Sequence, residues 1–165
     1  MTDMPFPDTT RVDANDKVRG KPIYGADDET LTDATTRRLR DRDLRVALAE
    51  AGLDGALCVA LAGDTLAGAL VLPPIPEIAD RDGATEAART LARRAKTMFN
   101  APIALGACVA PLGTHRLLIA AASLTGNEEK AVVEEHATSQ SDGARRAALL
   151  TLQVLRENLI GLPLG

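Results

Sequence analysis

Two cysteines and two histidines, Cys58, Cys108, His115 and His136, are among the side chains that could attack a carbonyl carbon or move a proton near neutral pH. A cysteine nucleophile needs exposure and a nearby base to lower its pKa, and for Cys108 the sole candidate base is His115, beyond a short turn. Both cysteines stand isolated in apolar runs, without C-x-x-C or His/Cys metal spacing, and so read as buried free thiols. No disulfide or metal site is expected from them. The two histidines have no evident third ligand and read as solvent-exposed strand or loop residues.

Backbone chemistry offers a second route to a site. The segment LAEAGLDGALCVALAG, residues 48–63, runs from an apolar stretch through a small-residue bend into another apolar stretch. Such bends usually present a side chain or backbone amides. At this one stand Ala51, Gly52, Leu53, Asp54 and Gly55, of which only Asp54 can do acid–base chemistry. An aspartate before a glycine is more often a turn former or helix cap. Amides at this bend, at the loop over 108–113 and at the loop holding Gly126 and Asn127 could together hold an anion or nucleotide. The candidate residual pocket is therefore Gly52, Asp54, Gly55, Cys108, Gly126 and Asn127. The competing reading is a cavity filled by the proline and apolar residues around it.

Positioning these residues requires an ordered scaffold, and the hydrophobic pattern supplies one. Residues 1–28 are rich in Pro, Asp and Gly with neither helical nor strand period, which predicts an extended arm. From Leu31 a polar stretch with Thr32 or Asp33 as N-cap reads as a surface helix, with residues 44–50 as its continuation or a following strand. Residues 66–72 read as a buried strand, stopped by Pro73, Pro74 and Pro76, and residues 73–83 as a loop. Over 83–100, alanines with Leu91, Met98 and Phe99 recur at helical spacing, and Asn100 suits the C-terminal stop. Two apolar runs, 102–110 and 116–124, read as a strand pair, while 130–138 fits either a strand or a short helix. A final helix capped by Ser141 or Asp142 carries an apolar stripe to Leu159. Strands alternating with helices predict an α/β domain over 29–165, layered as a central sheet flanked by helices.

Composition narrows the function classes. A chain of 165 residues fits one domain, burying about two-thirds of its unfolded surface. A net charge of −4 argues against capture of a phosphate backbone or an anionic membrane. One tyrosine, two phenylalanines and no tryptophan leave little platform for base stacking. The sequence has neither a signal-peptide pattern at its start nor an apolar run of the ~20 residues that span a bilayer. A cytoplasmic protein that binds neither nucleic acid nor membrane is expected.

Between residues 39 and 159 the chain resembles the C-terminal domain of the CinA (competence-damage-inducible) family, whose catalytic members deamidate nicotinamide mononucleotide. That family typically carries Ala-Glu-Ser-Cys-Thr-Gly-Gly, with the serine as nucleophile. Here the string is Ala49-Glu50-Ala51-Gly52-Leu53-Asp54-Gly55. The serine position falls on Ala51. A family tyrosine and lysine near the next strand's end fall on Leu72 and the stretch with Pro73, Pro74 and Glu77. The Thr-Gly-Ile-Ala-Gly-Pro motif is reduced to ACVAPLG, residues 107–113. The resemblance thus implies a family fold with altered site motifs.

The stretch TRVDANDKVRGKPIYGADD, residues 10–28, is similar to the opening of molybdopterin-binding large subunits of the xanthine dehydrogenase and aldehyde oxidase type. The pattern is carried by Arg11, Val12, Asp13, Lys17, Val18, Gly20, Tyr24 and Asp27. It stops before the large subunit's body, so it implies no molybdenum site and no cofactor in this chain. Two function classes follow. One is a non-catalytic interaction protein, an accessory subunit or assembly factor of a molybdopterin-containing dehydrogenase, docking through Val18, Ile23 and Tyr24. The other is a nicotinamide-nucleotide amidohydrolase with an atypical site. Self-association into a homo-oligomer is compatible with either.

Overall fold

The computed structural model describes residues 30–160. The arm, with Val18, Ile23 and Tyr24, and the expected boundary at 28/29 lie outside these residues.

Helix α1, Leu31–Asp41, starts at a reciprocal cap. The Asp33 amide donates to Thr30 Oγ1 at 3.1 Å, and the Thr30 amide donates to Asp33 Oδ2 at 3.4 Å. The cap is therefore Thr30 rather than Thr32 or Asp33, because the side chain that reaches the third helical amide lies ahead of the first turn.

Strand β1, Val46–Ala51, is buried throughout. It leads into a one-turn helix α2, Ala56–Ala60, and then strand β2, Leu66–Leu72. The longer helix α3, Arg81–Phe99, is opened by Asp80, whose carboxylate accepts from the Gly83 amide at 2.7 Å. The expected loop into this helix is thus shorter, since Arg81, Asp82 and Gly83 already form its first turn. Asn100 closes α3 in the left-handed conformation, φ 51°.

Strands β3, Ile103–Pro111, β4, Leu117–Thr125, and β5, Glu128–His136, follow as an antiparallel meander. The segment open between strand and short helix is a strand. Helix α4, Gln140–Ile160, ends the described chain. Its first amides are met by Ser139, with Asp142 N donating to Ser139 Oγ at 3.2 Å. The cap lies two residues ahead of the expected Ser141 because the last strand ends at His136 and only a short link follows.

The sheet order is β2-β1-β3-β4-β5, with β1 parallel to both β2 and β3. The sheet is mixed, and its flanking helices complete the α/β layering that the pattern implied. The location of β2 is a correction. It is an edge strand of mostly half-buried residues rather than a buried one, because among the described residues it pairs with β1 alone.

Small residues set the thickness of the layers. One face of the sheet presents Ala47, Ala49, Ala51, Ala104 and Ala120 to Ala84, Ala88, Leu91, Ala92 and Ala95 of α3. At Gly106 a methyl group would lie 2.0 Å from the Ala88 carbonyl oxygen, so α3 rests directly on the β3 backbone. On the opposite face α4 packs against β3 and β4. Its buried Asn158 donates through Nδ2 to Ser123 Oγ at 2.8 Å, tying helix to sheet by a satisfied polar contact.

Candidate functional site

The bend that follows β1 is built from left-handed backbone. Gly52, Asp54 and Gly55 have φ of 84°, 53° and 88°. At Gly52 the conformation and the space both exclude a side chain: an added Cβ would lie 2.6 Å from the Val109 carbonyl oxygen and 3.6 Å from Pro74. The Gly52 amide donates to Leu72 O at 3.2 Å, and its carbonyl accepts from Gln140 Nε2 at 3.1 Å. Both backbone groups of Gly52 are therefore engaged within the protein.

The group that organises the bend is Glu50, fully buried on β1. Its Oε1 accepts from the Gly55 amide at 2.7 Å and its Oε2 from the Cys58 amide at 2.9 Å. A carboxylate held by two backbone amides is a charge-assisted arrangement, stronger than a neutral pair. The Gly55 amide was among the expected anion holders, and the Glu50 carboxylate already occupies it. The sequence reading missed Glu50 as a structural group. Its signal was a lone acid inside an apolar strand, five positions ahead of a glycine.

Ala51 points the other way, into the alanine-lined face beneath α3, and is fully buried. Leu53 is buried as well, so Asp54 is the exposed residue of the bend. No side chain among residues 51–53 offers an oxygen or sulfur nucleophile.

Cys108 lies opposite Ala51 in the register of β1 and β3. It is fully buried, with its Sγ 3.5 Å from the Ala84 carbonyl oxygen, and burial pushes its thiol up to about 12. A thiol in that state is neither a pocket lining nor a nucleophile. His115 sits in the exposed β3–β4 loop, while the Cys108 side chain is enclosed under α3, so the pairing of the two as nucleophile and base does not form. His136 Nε2 lies 2.7 Å from Glu134 Oε1 at the end of β5. Cys58 is half-buried on α2.

The structure divides the candidate pocket. Gly52, Asp54 and Gly55 share one bend, and Cys108 stands beside it but sealed. Gly126 and Asn127 form the tight β4–β5 turn at the other end of the sheet. Thr125 pairs with Ile103 at the start of β3, whereas Ala51 pairs with Cys108 near its end. The strand directions separate the two ends, which sequence spacing could not reveal.

Two concavities lie near the bend. One, of about 610 Å³, runs between the β3–β4 loop and the start of α4 and is lined by Gly113, Thr114, His115, Arg116, Ser139 and Gln140. The other, of about 500 Å³, is mostly apolar, with Leu72, Ile75, Ile78 and Leu91 in its wall beside the charged Glu77, Glu86 and Arg94. Among the described residues, no group of three or more His, Cys, Asp or Glu is placed to hold a metal ion. No helix among them is long and apolar enough to cross a membrane.

No family model and no curated protein matches the chain. Solved structures do. The chain is similar to a competence-damaged protein (CinA) superfamily protein from Enterobacter cloacae at 18% identity and a TM-score of 0.65, over 84% of this chain and 97% of that one. A CinA superfamily protein from Escherichia coli aligns at 18% identity and a TM-score of 0.59, over 85% and 96%. The competence damage-inducible protein A from Klebsiella pneumoniae aligns at 17% identity and a TM-score of 0.61, over 81% and 97%. At this identity the likeness establishes a CinA-like fold.

Proposed function

We propose that this chain is a non-catalytic protein of CinA-like fold that works by docking, as an accessory subunit or assembly factor of a molybdenum hydroxylase of the xanthine dehydrogenase type. The observation that carries the non-catalytic half is Ala51, a buried methyl group at the position that the family string gives to its serine. A methyl group cannot supply an oxygen nucleophile. Three further features support the reading. Glu50 occupies the Gly55 and Cys58 amides, Pro74 packs over Gly52, and the Cys108 thiol is enclosed. The bend is thereby a closed structural joint.

The docking half rests on the arm's similarity to the opening of molybdopterin-binding subunits. An extended segment can add main-chain hydrogen bonds along a partner's sheet edge while one or two side chains fill pockets. Val18, Ile23 and Tyr24 are assigned as these anchors. The test is co-purification of the native protein from its own cells, with molybdenum measured in what accompanies it. A molybdopterin-containing large subunit in stoichiometric yield is expected. Recovery without molybdenum, under conditions that preserve such enzymes, would overturn the assignment.

A further inference from the structure

Among the described residues β2 and β5 are the outer strands of the sheet, and their chemistry differs sharply. β5 carries Glu128, Glu129, Lys130, Glu134, Glu135 and His136 within nine residues. Charged side chains of this kind are a common means by which an edge resists pairing with another chain. β2 reads LAGALVL, with no charge and no proline. Among the described residues β1 is its sole strand partner, so no described strand pairs with its other side.

Apolar surface flanks that edge on both faces. Val71, 48% exposed, stands beside Glu50 in the β1–β2 register, on the face that carries α2. There α2 shows Val59, 77% exposed. On the α3 face the mostly apolar concavity of about 500 Å³ begins at Leu72.

We infer that the outer edge of β2 pairs antiparallel with the same edge of a second copy of this chain, uniting two five-stranded sheets into one of ten strands. The charges around the edge favour a second copy. No like charges meet within the seven paired residues, since none is charged. Near the start of β2 stands the exposed Arg45, whose Nη2 donates to Leu66 O at 3.1 Å, while Arg40 there is already neutralised by Asp64. Beyond its end comes Glu77. A two-fold axis sets the start of one strand against the end of the other, so the Arg45 end of each copy meets the Glu77 end of its partner. The symmetry also closes the assembly: both β2 edges are consumed, and the charged β5 edges left outside do not propagate it. This inference stands independently of the proposed docking to a molybdenum enzyme.

The experiment is sedimentation equilibrium on the full chain, comparing wild type with Val71→Lys and Val132→Lys, the latter placing the same charge on β5. Wild type should have twice the 17.3 kDa chain mass. Val71→Lys should raise the dissociation constant at least about tenfold, in line with the cost of a charge on a paired edge, and Val132→Lys should leave it unchanged. Deuterium exchange of wild type should show the β2 amides slowing as protein concentration rises while those of β5 do not. That second measurement decides the matter should Val71→Lys fail to fold. A single-chain mass at all concentrations, dissociation by Val132→Lys in place of Val71→Lys, or β2 exchange independent of concentration would overturn the inference.

Discussion

Glu50 is the residue on which the bend after β1 depends, because its two oxygens answer the amides of Gly55 and Cys58 in a buried setting. In Glu50→Gln the side-chain NH₂ must face one of these donors. Losing a buried charge-assisted bond should cost about 1.5–3 kcal/mol, read as a lowered denaturation midpoint. Stability equal to wild type would mean that the amides find other acceptors. Cys108 yields a prediction from its raised pKa. Burial penalises the thiolate and lifts the folded value from the ordinary 9.0 to about 12, so fold stability is untouched by this group below pH 9 and falls as pH rises from 9 toward 12. At pH 8, a thiol reagent should modify the half-buried Cys58 well before Cys108, which should react only on unfolding. Equal labelling of both in the native state would contradict the enclosed position of Cys108.

At the scale of elements, the alanine stripe of α3 and the small residues of β1 and β3 let the helix settle onto the strand backbone. Gly106→Ala tests that contact: its methyl would meet Ala88 O at 2.0 Å and Ala92 N at 2.6 Å, both main-chain atoms that cannot rotate aside. Overpacking of this kind should cost about 1–3 kcal/mol or more, seen as a drop in Tm. An unchanged Tm would mean that α3 floats farther from the sheet. Most of these elements were legible in sequence because alanine and leucine recur at helical spacing over α3 and α4 and apolar runs mark β3 and β4. Pairing was less legible. The residues of β2 look like those of an interior strand, and only the chain's crossover from β1 places it at the edge. The bend at 52–55 was visible as a glycine-rich break, but its internal anion was not, since strand period alone gives no hint that Glu50 turns its carboxylate back to the following helix. Gly126 and Asn127 were recognisable as a turn, and the antiparallel course of β4 carries that turn to the far end of the sheet.

At the scale of the whole molecule, the proposed division of labour gives docking to the arm and stability to the sheet and its helices. Replacing Tyr24 with alanine should then weaken partner binding by about 1–3 kcal/mol, as the loss of an aromatic anchor does, while leaving the melting temperature unchanged. Unchanged recovery of the partner together with a lowered melting temperature would assign Tyr24 to the fold instead. A closed bend without a nucleophile should do no chemistry. Incubating the purified protein with nicotinamide mononucleotide and measuring ammonia addresses this. No release above the uncatalysed background is predicted for wild type, nor for Ala51→Ser, because a nucleophile and its base act as a unit and one restored hydroxyl does not rebuild them. Ammonia release by wild type, proportional to protein and retained through further purification, would contradict the non-catalytic account.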